Sequence, residues 1–542
     1  MQDGCRDVML NAELDDASEE SVSSSRRSSR VLKNDLLLHE AVIKNDPDAV
    51  KKVLKEHVDI NSRNNYGRAP IHWAASRGAT DIMELLINAK CDIEARDRYG
   101  MRPLLMAAWH GHTEAVQLLI NCGASVVATN KKQYTLLMCA ARNNRLSVVN
   151  FLLDSLEHID VDLVDQERQT ALHHAAQAGH REVVSRIVQA GANTKLLNKQ
   201  GRTALHMACE KGHLDVVEFL LRHEAQIEAR DEEGNTPLHL AVENKHLMVT
   251  QLLLEYGTPP DVDNQKGMTP LHVASSLGCR GIIDTLLQYG SDVDKQSKNG
   301  NTPLHQASEA NDCETVELLI AKGADLNALN ARLQSPIHIA AEHGFTDICK
   351  VLLAAGANIE QREQGGRTPL YIAARGSFTA IVDMIIRTAR LDYPEPEESA
   401  EAGHQSAARR KWRLQKEGRG SVGETNDRLK QVLWKLAHKQ LDAADWKRLA
   451  HHWAFTEEQI KAIEHQYTGT FGPNSHKDHA YRMLVIWSEG LNQEVNPVKS
   501  LCEGLCAINK KSLAESIKKK MNEDIDLPQK DGPKCCTRCS VL

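Results

Sequence analysis

Aromatic side chains are scarce in this chain: six Phe, nine Tyr and seven Trp make up 4% of 542 residues. A single large core draws on more of them, so the 41% apolar content points to many small units built from Leu and Ala. No apolar run approaches ~18 residues, which excludes a transmembrane helix. No apolar segment follows the N-terminal charges, so no secretory leader is visible. Basic charge is not in excess. Lys and Arg number 66 against 73 Asp and Glu, and a formal charge of −7 speaks against broad nucleic-acid binding. The 13 Cys are scattered, many in Leu/Ala-rich stretches, and read as reduced core residues of a cytosolic protein. No nucleophile signature is present, and the Cys lack a second ligand pair for zinc. The expectation is no enzyme, no catalytic or metal site and no cofactor.

What the chain has is a repeat. Thr170-Ala-Leu-His173, Thr203-Ala-Leu-His206, Thr236-Pro-Leu-His239, Thr269-Pro-Leu-His272, Thr302-Pro-Leu-His305 and Ser335-Pro-Ile-His338 are one phrase. Its last position falls at 39, 72, 105, 138, 173, 206, 239, 272, 305, 338 and 371, with Leu105, Met138 and Tyr371 as variants. Every step is 33 except one of 35, which places two added residues near Asp154–Glu157. Eleven units follow, over 32–393. Thr or Ser caps the first helix of each, and Pro takes the first turn, where its missing N–H costs nothing. Gly179 and Gly212 suit a left-handed turn between helices. Leu220-Leu221 and Leu318-Leu319 supply a buried stripe, and tips such as Asn299-Gly300 make tight turns. One unit cannot bury its apolar face alone, so neighbours must stack. The 25 His mostly follow the period and read as structural. The last unit lacks a polar outer face around Met384-Ile385-Ile386, so the linker or the C-terminal domain is expected to cover it.

This phrase and period resemble the ankyrin repeat. Residues 1–31 read as a disordered Ser-rich start, in which Arg26-Arg-Ser-Ser29 makes Ser28 and Ser29 candidate phosphorylation sites. Residues 394–425 read as a linker. Its basic Arg409–Arg413 stretch reads as solvated, and its GxGxxG match at Gly418–Gly423 follows no strand. Residues 426–518 read as six short helices, with Thr456-Glu-Glu-Gln459 and Asn496-Pro497 as helix starts. Trp434, Trp446, Trp453 and Trp487 are expected in their core. This order, with Asp445-Trp-Lys-Arg-Leu-Ala450 and Leu484-Val-Ile-Trp487, resembles the death domain. The expected fold class is all-α, an ankyrin solenoid followed by a six-helix bundle. The combination resembles the family of proteins containing ankyrin repeats and a death domain.

The resemblance implies a non-enzymatic scaffold for protein partners. The rival reading is an ankyrin-type inhibitor that masks a transcription-related partner. Partners of ankyrin-like arrays lie against the concave face, which places Arg77, Trp109, Tyr134, Arg142, Glu243, Glu309 and Glu342 as candidate contacts. The bundle is expected to pair with death-domain proteins. In the 519–542 tail, Cys539-Ser-Val-Leu542 has the form of a prenylation motif, with Cys535 and Cys536 as palmitoylation candidates. Two such lipids hold a protein peripherally on membranes, where one binds marginally. Otherwise a cytoplasmic location is expected. Asn61 and Asn327 resemble sites of the asparaginyl hydroxylase that modifies ankyrin repeats.

Overall fold

The computed structural model describes residues 26–156, 159–391, 423–465, 475–489, 491 and 496–523, and among these it holds helices and no strands. They fall in two compact units, Met1–Tyr256 and Gly257–Leu542.

The first unit contains seven helix pairs. These are α1 (Arg26–Ile43) with α2 (Pro47–Val53), α3 (Pro70–Arg77) with α4 (Thr80–Asn88), and α5 (Pro103–His110) with α6 (Thr113–Asn121). Then come α7 (Leu136–Arg142) with α8 (Leu146–Ser155), and α9 (Ala171–Ala178) with α10 (Arg181–Gln189). The last two are α11 (Ala204–Lys211) with α12 (Leu214–Arg222), and α13 (Pro237–Glu243) with α14 (Leu247–Glu255). The inner helix is buried almost throughout: Ala204, Leu205, His206, Met207, Ala208 and Cys209 of α11 are all buried. Small Ala and Cys permit that close stacking of one repeat on the next.

The glycines at the turns have a specific reason. Gly179 and Gly212 take left-handed backbone, φ 78° and 74°. A Cβ at Gly212 would stand 2.5 Å from Nδ1 of His246 in the next repeat. That ring is held in place because its Nε2 donates to the Glu210 carbonyl at 3.1 Å. His213 does the same to Gln177 at 3.0 Å. Glycine is therefore required twice, for its backbone and for the ring that lies over it. Where glycine is absent, Asn45, Asn144 and Asn311 adopt the left-handed conformation instead.

The second unit contains four more pairs: α15 (Pro270–Ser276) with α16 (Arg280–Gln288), α17 (Pro303–Glu309) with α18 (Cys313–Ala321), α19 (Pro336–His343) with α20 (Thr346–Ala355), and α21 (Pro369–Arg375) with α22 (Thr379–Leu391). Six helices follow: α23 (Gly423–Lys439), α24 (Asp445–His452), α25 (Glu457–His465), α26 (Ser475–Glu489), α27 (Pro497–Ala507) and α28 (Lys511–Glu523). Their core is centred on Trp446 and Trp487, each 1% exposed, with Leu433, Leu449, Ile463, Leu484 and Leu505 around them. Trp453 is half-buried and stacks on Trp487, with ring centroids 4.1 Å apart.

Two expectations are corrected. Helix α1 begins at Arg26, inside the stretch read as disordered, so Ser28 and Ser29 lie on a helical backbone. Once a turn is nucleated each added residue gains a bond, and Arg-Arg-Ser-Ser-Arg holds no Gly or Pro to stop it. Trp434 is not core: it is 44% exposed and stacks on His438 at 4.4 Å.

Candidate partner-binding surfaces

The histidine of each phrase does one job. In His206, Nδ1 accepts from the Thr203 hydroxyl at 2.9 Å, while Nε2 donates to the Asn235 carbonyl of the next repeat at 3.2 Å. His173, His272 and His305 bond their own caps and the next repeat in the same way. This uses the neutral ring, with one nitrogen as acceptor and the other as donor. Burial pushes His173, His206 and His305 down to about 4, against the pull of their carbonyl partners. The histidines are joints between repeats, and their chemistry is consumed by the fold.

A second periodic column closes the fingers. The side-chain oxygens of Asn64, Asp97, Asn130, Asp165, Asn198, Asp231, Asn264 and Asn330 each accept the backbone N–H two and four residues on. Several also meet the previous repeat. Arg68 Nε donates to Asp97 at 3.3 Å and Arg202 Nε to Asp231 at 3.2 Å. Asp165 also accepts from His174 Nε2 at 2.9 Å. Burial raises the Asp165 carboxyl, but the His174 bond and two backbone N–H groups more than offset it and hold it below its ordinary value.

The predicted contact residues fall into different situations. Arg77, Arg142, Glu243, Glu309 and Glu342 are exposed, while Trp109 and Tyr134 are half-buried. Tyr134 lies edge-on to His174 at 4.8 Å, and its hydroxyl accepts from Arg142 at 3.0 Å. Trp109 supplies a backbone carbonyl to Arg145 Nε at 3.1 Å. Glu309 and Glu342 both line a polar pocket of about 190 Å³, with Asn301, Arg332, Gln334 and His343. Gln334 donates to Glu342 at 3.2 Å and to Glu363 at 3.2 Å, which holds Glu342 in position. Asn61 and Asn327 are exposed, and their side-chain oxygens accept the backbone N–H of Asp92 and Asn358, both at 2.8 Å. Cys535, Cys536 and Cys539 lie outside the described residues, as do the basic and Gly-rich stretches of the linker through Ser421.

A further surface was not foreseen in detail. Helix α21 packs on α25, and α22 packs on α25 and α26. Arg482 on α26 forms a fork with Asp383 on α22, Nε to Oδ1 at 2.9 Å and Nη2 to Oδ2 at 2.5 Å, and Nη2 also reaches the Thr379 carbonyl at 3.0 Å. Glu489 pairs with Arg387, and Glu458 with Arg362. The Thr368 hydroxyl also donates to Glu458. In the repeats with Thr170, Thr203, Thr236, Thr269, Thr302 and Ser335 that hydroxyl meets the phrase histidine; here the position is Tyr371, and the hydroxyl accepts from Tyr371 N while its proton goes to the neighbouring bundle. Burial lifts the Asp383 carboxyl above its usual range, although Arg482 pulls the other way. No group of three or more metal-ligating side chains occurs among the described residues, and no helix there is long and apolar enough to cross a membrane.

Comparison with known proteins fits this architecture. A family model described as ankyrin repeats (3 copies) matches residues 38–130, 116–196, 137–231, 174–264, 223–297, 253–330 and 304–394, and one described as death domain matches residues 430–521. Among solved structures, the ankyrin repeat domain of Bcl-3, a member of the IkappaB protein family, is 30% identical, covering 40% of this chain and 98% of that one, with a TM-score of 0.37. The human ASB11 ankyrin repeat domain is 29% identical, covering 38% and 92%, with a TM-score of 0.36.

Proposed function

This chain belongs to the ankyrin-repeat family and carries a death domain behind its repeats, and from that premise we propose that it is a signalling adaptor whose repeats recruit one protein while its death domain recruits another. Both modules bind proteins rather than catalyse. The single observation that carries the repeat half of the reading is the pairing of Glu309 and Glu342 on one pocket, both exposed and one held by Gln334. Exposed carboxylates in a polar recess fit a Lys or Arg side chain of a partner, and complementary charge governs specificity and encounter rate.

The test is charge reversal in the intact chain. Glu309→Lys with Glu342→Lys should lower capture of the repeat-bound partner by about tenfold or more. Stability should fall by about 0.5–1.5 kcal/mol, because Glu342→Lys removes one acceptor of the buried Gln334 amide, and capture is compared where both chains are folded. Equal capture by both chains would remove the pocket from the binding surface. Peripheral membrane attachment through prenylated Cys539, with palmitate on Cys535 or Cys536, is a finer part of the proposal and rests on sequence form alone. Modification of Asn61 and Asn327 rests likewise on resemblance. Intact-mass measurement of protein from cells reads both, as a lipid-sized adduct and as added oxygen.

A further inference from the structure

The face of the death domain that meets the last repeat has a defined charge pattern. Arg482, Glu458 and Glu489 of the death domain meet Asp383, Arg362 and Arg387 of the repeat end, each in an ion pair. The Arg482–Asp383 fork is only 18% and 19% exposed, so it is desolvated, unlike a surface ion pair. Removing either charge takes away the opposite charge that the other faces in this part-buried contact. The fork belongs to an interface between two modules that are separated in sequence by residues 392–422.

We propose that this contact is a latch that holds one face of the death domain in reserve. The occupant in the closed chain is the chain's own last repeat. The partner that opens it presents the same charges: a carboxylate for Arg482 and two basic residues for Glu458 and Glu489. A protein lacking that pattern offers Arg482 nothing that offsets the loss of Asp383. A tethered competitor acts at high effective concentration, so the closed form dominates until such a partner binds. The role of the partner rests on the adaptor reading; the latch itself does not, and the test below reads the latch alone.

Three variants of the full chain decide it: Asp383→Arg, Arg482→Asp, and both together. Amide hydrogen exchange is followed in α21, α22, α25 and α26. Each single reversal should speed exchange in these helices by about tenfold or more, while α27 and α28, which pack on each other away from the fork, keep wild-type rates. The double reversal should restore protection, which a merely misfolded variant cannot do. Mixing the Asp383→Arg chain, whose death-domain face is uncovered, with the Arg482→Asp chain, whose repeat end is uncovered, should give a complex that neither variant forms alone. Unchanged exchange in the single variants, no recovery in the double, or a mixture that stays as its separate components would each overturn the proposal.

Discussion

Acidification from pH 6.5 to about 4 is expected to cost the repeats more stability than any single surface substitution. His173, His206 and His305 are held neutral by burial, with values near 4 in the folded chain. His72, His272 and His338 are lowered in the same direction, again chiefly by burial. A base whose folded value lies below its unfolded value of about 6.5 stabilises the fold fully above 6.5 and progressively less as pH falls toward the folded value. For a histidine displaced to about 4, the loss reaches about 3 kcal/mol at pH 4, an upper figure for a buried group. The physical event is direct: a proton on Nδ1 meets the cap hydroxyl and N–H that Nδ1 had accepted from. Urea midpoints measured at pH 7.5, 6, 5 and 4.5 check this. The midpoint should be flat above pH 7 and fall steeply below 6. A His206→Gln chain should start lower and show a shallower fall. Equal midpoints at pH 7.5 and 5 would mean that the rings are not held neutral.

Ending the chain after residue 393 is expected to loosen the last repeat. Ile381, Val382, Ile385 and Ile386 of α22 are buried, and α22 packs on the death domain as well as on its neighbouring repeats. Truncation leaves Asp383 without Arg482, and Thr368 and Arg362 without Glu458. Terminal repeats depend on a capped outer face, since each repeat is stabilised mainly by its neighbours. The cost should be about 1.5–3 kcal/mol, the worth of one large apolar side chain's burial, from the surface of α21 and α22 that the death domain had covered, since Asp383 itself regains water. It should concentrate in α21 and α22, visible as an added unfolding transition at low urea. A single transition at the midpoint of the intact chain would show that the repeats cap themselves.

Much of this was legible in the sequence, and the parts that were not have definite physical reasons. The Thr-x-x-His phrase announces a cap and its partner because both lie within one turn of helix. The Asn/Asp column at 64, 97, 130, 165, 198, 231, 264 and 330 keeps the same period, so its position was open to view. Its role was not, because closing a finger depends on two backbone N–H groups that carry no residue signature. Trp434 could have been placed outside: at 100° per residue it lies roughly 140° from Leu429 around the helix, off the stripe of Leu429, Leu433 and Leu436. The start of α1 was missed because composition rather than helix propagation set the boundary. The need for a cover over the last repeat was legible from its apolar α22. The pairing of Arg482 with Asp383 was not legible, since 99 residues separate them and neither belongs to a repeated pattern.

The most direct measurement for the adaptor reading is affinity capture with mass spectrometry, comparing the intact chain with one ended after residue 425. The account predicts that death-domain proteins leave the captured set on truncation while proteins bound to the repeats remain. An identical set from both chains would contradict it, because the death domain would then recruit nothing.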